Sequence, residues 1–464
     1  MNNNSEKTSN EGSLKREIGL FGGISIVGGI MIGSGIFYLG SYVLERTGMS
    51  MGLALLCWVI GGGVSLLGGL CFAELGAARP ASGGMVVYLN EAYHPVVGYM
   101  FGFTSWLLSG AGSISAIAIA LPTIFKGYFE MSEMTIKVIA IVLIVALTLY
   151  NCLGIKQGTV LQSISMVAKI IPIVVIIMAA LLKGEVNPDL SLTSANGDAS
   201  FGSIIGMIAF ATVATLWAYE GWTNLNSVAE EMKNPAKNLP RALIISIGAI
   251  TLIYTLFNFA IYKVLPFDQV TQMINGGDLY LGTAVAKTVF GGVGGILVFS
   301  TMVIAMFSSL NGMIIAFPRN YYAMAREGHF FKAFGHINPK TNVPTVALIA
   351  QAVIASVLVL LRNLDQLTSL VVFAGMMFNM LTVVAVIVYR KRYPELKRPY
   401  RAWGYPVTVI ITAVIYTALM INTLVEDPIT ALVGLVVPAL GAVVYFIFDR
   451  KLKAEKKDLS VTEE

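Results

Sequence analysis

The sequence predicts an all-α integral membrane protein of twelve transmembrane helices. Ten of them are expected to form two five-helix repeats of opposite topology, with helices 1 and 6 broken. Three observations lead there. Of 464 residues, 56% are hydrophobic and 12% are charged, against about 25% charged in soluble domains, and mean hydropathy is +0.76. Twelve apolar runs approach the length of about 20 residues that a bilayer demands. Two of those runs, the first and the sixth, are interrupted by residues unsuited to a helix interior.

The runs lie near 19–44, 51–76, 95–125, 136–153, 157–183, 203–230, 241–264, 281–316, 344–362, 367–389, 405–424 and 429–448. The chain is then expected to divide into a polar, disordered cytoplasmic tail (1–14), a ten-helix core (15–389), helices 11–12 (390–448) and a charged cytoplasmic tail (449–464). Within the core the repeats cover about 19–183 and 203–389. With the N-terminus inside, 23 of the 31 Lys and Arg residues fall in inside segments, 7 fall outside and Lys169 alone lies in a span. The positive-inside rule therefore makes both termini cytoplasmic. The first apolar run is too long for a cleavable signal and leads into a multi-span chain.

The first break is Gly33-Ser34-Gly35, in the middle of run one. Each freed backbone group costs several kcal/mol in hydrocarbon, roughly, unless something satisfies it. Two readings account for such a stretch. The glycines allow close helix packing, or the break lines a cavity and its N–H groups bind an anion. Run six is interrupted at Glu220-Gly221, with Trp217, Tyr219 and Trp222 flanking. Two breaks five spans apart, the first run starting inside and the sixth outside, fit inverted repeats.

Lys169 lies about 12 residues from each end of run five, roughly 18 Å deep. That is beyond snorkelling reach, and an intramembrane cation costs roughly 2.5–3.5 kcal/mol on insertion scales. It must face the interior and find oxygen partners, or lose its charge. It either ties helices together or serves transport, and one role does not exclude the other. Pro172, three residues on, frees the carbonyl of Ala168 and predicts local irregularity. Glu220 is the second intramembrane charge: paired, protonated, or directed along the half-helix into water. Mid-span aromatics are poorly placed as interfacial anchors, so Trp217 is expected to line a pocket or gate it. Tyr254 in run seven and Ser308 and Ser309 in run eight are weaker candidates: a mid-span Tyr is often a satisfied hydroxyl in a helix contact, and Ser hydroxyls often bond back to the preceding turn. Glu74, Glu230 and Glu231, at inner span ends, are expected to pair with loop arginines.

Several function classes lack support. The basic residues sit in loops between apolar runs, so the net charge of +5 does not point to nucleic acid. Cys57, Cys71 and Cys152 form neither a disulfide framework nor a metal pair. His94, His329 and His336 all fall in predicted loops, and no hydrolase, zincin or P-loop motif occurs. No enzyme activity, cofactor or metal is expected; the lipid bilayer and a small-molecule substrate are.

Gly33-Ser34-Gly35-Ile36-Phe37 resembles the G-S-G-I-F motif of the amino acid–polyamine–organocation superfamily. Further stretches resemble its L-type amino acid transporter branch: Glu74-Leu75-Gly76, Pro80-Ala81-Ser82-Gly83-Gly84, Ala218-Tyr219-Glu220-Gly221-Trp222, the segment from Glu230 to Arg241, and Asn311-Gly312 followed by Ala325-Arg326-Glu327-Gly328-His329. The similarity covers spans one to ten and continues more weakly to the end. It implies the LeuT-type fold and alternating access, and among bacterial members it points to serine/threonine or alanine-serine-cysteine exchangers in the cell membrane. It places the substrate carboxylate on Gly33, Ser34 and Gly35 and the ammonium on carbonyls of Met31, Trp217 and Glu220, with Ile32 and Ala218 in the same segments. Trp217 matches a gating aromatic, and Tyr254 a position on the inner side of the site. Lys169 matches a lysine standing where sodium-coupled relatives hold an ion, which implies sodium independence. Two departures matter. The loop from Lys126 to Thr135 lacks the cysteine through which eukaryotic members bind a heavy chain, so no disulfide-linked partner is expected. Glu220 stands where members with large substrates carry Gly, which favours small neutral amino acids. Alternatives are a proton-coupled or cationic amino acid or polyamine transporter, and a non-transporting sensor.

Overall fold

Helices follow from the apolar runs because hydrocarbon leaves backbone groups only intrachain partners. The computed structural model describes residues 14–127, 129–193, 200–361, 364–426 and 428–462, and these contain no β-strand. The helices are α1 (Leu20–Met31), α2 (Gly35–Arg46), α3 (Met51–Ala78), α4 (Met85–Ala92), α5 (Pro95–Thr104), α6 (Gly110–Thr123), α7 (Glu133–Asn151), α8 (Ile155–Lys183) and α9 (Phe201–Ala218). They continue as α10 (Pro235–Val264), α11 (Phe267–Asn275), α12 (Leu281–Phe290), α13 (Gly292–Ala316), α14 (Pro318–Arg326), α15 (Thr345–Leu361), α16 (Leu364–Arg392), α17 (Val407–Glu426) and α18 (Pro428–Thr462). Among the described residues, eight helical stretches are long and apolar enough to cross a bilayer, and the bent pair α1–α2 makes up to nine. α9, α12 and α15 are apolar but shorter.

Several boundaries differ from expectation. The run 281–316 is two helices, because Gly291 takes φ 64° between α12 and α13. Continuous apolarity concealed the turn. The run 203–230 is helical only to Ala218; after Gly221 (φ 123°) the chain continues as 3₁₀ turns, Trp222–Ser227 and Ala229–Glu231. α8 runs unbroken through Pro172. α18 continues past residue 448 to Thr462, so the segment assigned to a tail is helical over most of its length. The N-terminal tail lies outside the described residues except for Leu14, which packs with Tyr322 and Ile337.

One end of the bundle is clamped shut. The N–H groups of Glu17 and Ile18 donate to the Glu231 carbonyl (2.9 and 3.0 Å), and Lys233 N–H donates to Ile18 O (2.8 Å). The Glu231 carboxylate takes a bidentate pair from Arg319 (2.8 and 3.0 Å), and both side chains are buried. Glu74 accepts from Arg390 (2.8 and 2.7 Å) and from Ala402 N–H (2.7 Å). Glu74 and Glu231 thus have arginine partners, but Arg390 and Arg319 stand on helices α16 and α14, not in loops. Glu230 instead accepts from Ser82 N–H (3.2 Å). Bidentate guanidinium–carboxylate pairs are among the strongest polar contacts available, and losing one partner of a buried pair is costly.

Candidate functional site

The site grows from the break between α1 and α2, which are bent by 50°. α1 ends at Met31 because Gly33 N–H turns back onto Met31 O (3.0 Å) instead of extending the ladder. α2 then starts at Gly35, with Ser34 as its cap. A helix start leaves its first N–H groups without intrahelical partners. Here these belong to Ser34, Gly35 and Ile36, since Phe37 N–H already donates to Ser34 O (3.0 Å). Across from them α9 ends at Ala218 with Tyr219 as its cap, exposing the carbonyl end of a helix. The positive end of one macrodipole therefore meets the negative end of another.

A cavity of about 910 Å³ joins the two ends, lined at its centre by Gly33, Ser34, Gly35, Trp217, Ala218 and Glu220. Asp278, Tyr280 and Lys287, at one extremity, are exposed, whereas Met85, Asn224 and Ser227, at the other, are buried. The cavity is thus open at the end away from the clamp. Tyr38 stands between mouth and centre: its ring packs edge-on against Tyr280 (6.2 Å between centroids), and its side chain interacts with Trp217 and Ser34.

Lys169 is fully buried and has the oxygen partners its depth requires. Its Nζ donates to Gly29 O (2.8 Å) and Ile32 O (2.6 Å), both at the carbonyl end of α1. Ser309 Oγ donates to Gly29 O (2.9 Å) and Ile30 O (3.1 Å) and also lines the cavity. Ser308 does not line it; its hydroxyl receives Gln162 Nε2 at 3.4 Å. Ile32 enters through its carbonyl alone. Tyr254 lies behind the cavity wall and joins the two breaks, its hydroxyl donating to Met31 O (2.8 Å) and Ala218 O (3.1 Å). Glu220 stands at the same depth as the first break, yet its side chain is exposed to the cavity. Among the described residues no basic side chain forms an ion pair with it. Its neighbour is Tyr416 of α17, which interacts with Asn379 of α16.

The arrangement offers N–H donors at one helix end and carbonyl acceptors at the other. A family profile described as amino acid permease matches residues 18–447.

The chain belongs to the amino acid permease family.

This permease is 32% identical over 438 residues to the serine/threonine exchanger SteT of Bacillus subtilis, covering 94% of this chain and 97% of that protein. It is 31% identical over 452 residues to the human b(0,+)-type amino acid transporter 1, covering 94% and 88%. Over 449 residues it is 31% identical to the human large neutral amino acids transporter small subunit 2, covering 94% and 81%. The permease is accordingly an amino acid transporter of the amino acid–polyamine–organocation superfamily, embedded in a membrane.

Sequence reasoning missed several polar residues around the permease's site. Tyr38, Asn379 and Tyr416 line the cavity, and Gln162 and Asn311 form a buried pair behind it. Gln162 had a readable signal: it lies seven residues before Lys169, two turns along the same helix face. Tyr416 had none, because run eleven lies outside the ten-helix core where a pocket was sought.

Proposed function

We propose that the permease is a sodium-independent exchanger of small neutral L-amino acids that works by alternating access. The observation that carries this reading is the pair of opposed helix ends. The free N–H groups of Ser34, Gly35 and Ile36 suit a carboxylate, and the terminal carbonyls of α9 suit an ammonium. Since Gly33 N–H is engaged with Met31 O, the anion cradle lies one residue further along than the motif alone implies. Met31 O already accepts from Tyr254 and Gly33, and Trp217 O from Glu220 N–H (3.2 Å), so the Glu220 carbonyl is the best placed of the three to take the ammonium. Sodium independence is supported by Lys169: its ammonium occupies the carbonyls of Gly29 and Ile32, oxygens that a metal cation would otherwise need. Alternating access is supported by a cavity open at one end and clamped at the other.

The reading includes twelve spans, the ten-helix core over 15–389 in two inverted repeats, and helices 11–12 after it. Both termini are cytoplasmic, in a bacterial cell membrane, with no disulfide-linked heavy chain. In this orientation the open end faces outward and the clamp faces the cytoplasm.

A second reading has one observation in its favour. Glu220 is open to the cavity and, among the described residues, forms no ion pair, so a substrate with a cationic side chain would find a counter-charge there. The test is uptake of radiolabelled serine, alanine and lysine into serine-loaded proteoliposomes, with choline replacing sodium. Serine and alanine uptake unaffected by the replacement is expected. A requirement for sodium would contradict the first reading, and lysine outcompeting serine would favour the second.

A further inference from the structure

Gln162 lies two turns before Lys169 on α8, and both residues grip α1. Lys169 holds the break itself, through Gly29 O and Ile32 O. Gln162 reaches α1 lower down, its Nε2 donating to Ser25 O at 3.3 Å and to Ser308 Oγ at 3.4 Å. Its Oε1 accepts from Asn311 Nδ2 at 2.8 Å. Asn311 Oδ1 in turn accepts from Asn151 Nδ2 at 2.8 Å, and Asn311 Nδ2 also donates to Gly158 O at 3.2 Å. Gln162, Asn311 and Asn151 are all buried.

Two glycines make room for the amide. A Cβ on Gly29 would stand 1.6 Å from Gln162 Nε2, and one on Gly312 would stand 2.9 Å from it. Gln162 is therefore fitted between α1 and α13. Its two arms differ in strength. The oxygen arm has an ordinary hydrogen-bond length, whereas the nitrogen arm lies beyond the usual N–H···O range. In a buried network the well-made bonds hold their partners rigidly and the long ones give first. If the clamped end is to open, α1 must move away, because the chain just before it is stitched to Glu231 and Lys233.

We propose that Gln162 is a positioning residue for α1: in each transport cycle its nitrogen releases Ser25 and Ser308 while its oxygen stays on Asn311. This rests on the alternating-access reading. Gln162 does not line the cavity, so its effect falls on turnover and not on substrate recognition.

The test uses the full chain in proteoliposomes with Gln162→Glu, which keeps an acceptor for Asn311 and loses the donor, and Gln162→Met, which loses both. The nitrogen bonds are made in the clamped state and broken on opening, so their loss eases opening: maximal exchange is expected to rise about three- to ten-fold, the equivalent of one modest hydrogen bond, with KM within about two-fold of the parent. A fall in maximal exchange, a raised KM at unchanged maximal rate, or no change in either, would overturn the assignment. Hydrogen exchange on the unmodified protein gives an independent check. Adding serine is expected to speed exchange in residues 20–31 while residues 155–165 and 305–314 stay protected. An equal response in all three segments, or none in 20–31, would overturn it. The second measurement needs only binding and motion, so it stands even if sodium-free exchange fails.

Discussion

Lys169 shows how much a single side chain can reveal and how much it leaves out. Its depth in an apolar run required interior oxygen partners, and it donates to two carbonyls of α1. Which carbonyls, and that they border the first break, follow from packing between residues about 140 apart, which no local pattern encodes. Lys169→Ala removes two hydrogen bonds to α1, each worth roughly 0.5–1.5 kcal/mol. Exchange is expected to fall at least about ten-fold in a protein that still purifies as a folded species; parent rates would remove Lys169 from the mechanism. Tyr254 was a doubtful candidate in the sequence because a mid-span Tyr is often just a satisfied hydroxyl in a helix contact. Its bonds to Met31 O and Ala218 O make it a brace between the breaks. Tyr254→Phe keeps the ring packing and loses the one proton shared between the two carbonyls, and a fall of a few-fold in exchange is expected at roughly 0.5–1.5 kcal/mol. Glu220 is open to the cavity, and Glu220→Gly enlarges the space beside the α9 carbonyls. A competition panel of the amino acids is expected to shift from small toward large side chains. An unchanged size order would mean that another group, with Tyr416 and Asn379 the nearest candidates, sets the limit.

At the scale of elements, the first break was legible because Gly and Ser cluster inside an apolar run, where a helix has no reason to carry them. The second was legible as an interruption but not in its form. Charge and glycine at 220–221 indicate where a helix fails, not that 3₁₀ turns follow, since those depend on burial of Trp222–Ser227 against other elements. The split of run eight at Gly291 was hidden for the opposite reason: apolar residues continue across it, and hydropathy alone does not separate a short apolar helix from a span. Gly221 makes the conformational requirement testable. Its φ of 123° suits glycine, and a Cβ there would stand 2.5 Å from Ile30 Cγ2. Gly221→Ala is expected to cost about 1–3 kcal/mol, read as a lower melting temperature in detergent and reduced exchange. Gly248→Ala, in the interior of α10 with open space at its Cβ position, is the control and is expected to be neutral or slightly stabilising. Equal behaviour of the two variants would deny the second break any special geometry.

At the scale of the molecule, the two breaks, the buried lysine and the clamp form one device. The cavity reaches from an exposed mouth at Asp278 and Lys287 to the helix ends at mid-depth. Beyond them the chain is shut by the Glu231–Arg319 pair and the backbone bridge at Ile18. Composition and charge distribution made a polytopic membrane protein the expected class, the two breaks and the family motifs made it a transporter, and whole-chain similarity to amino acid permeases agrees with that. Substrate and coupling rest on finer features, chiefly Glu220 and Lys169, and those are where experiment has most to decide. The most direct measurement is radiolabelled serine uptake into sodium-free proteoliposomes, loaded with serine or left empty. Uptake into loaded vesicles well above that into empty ones is the predicted result; equal uptake in the two would contradict the exchanger.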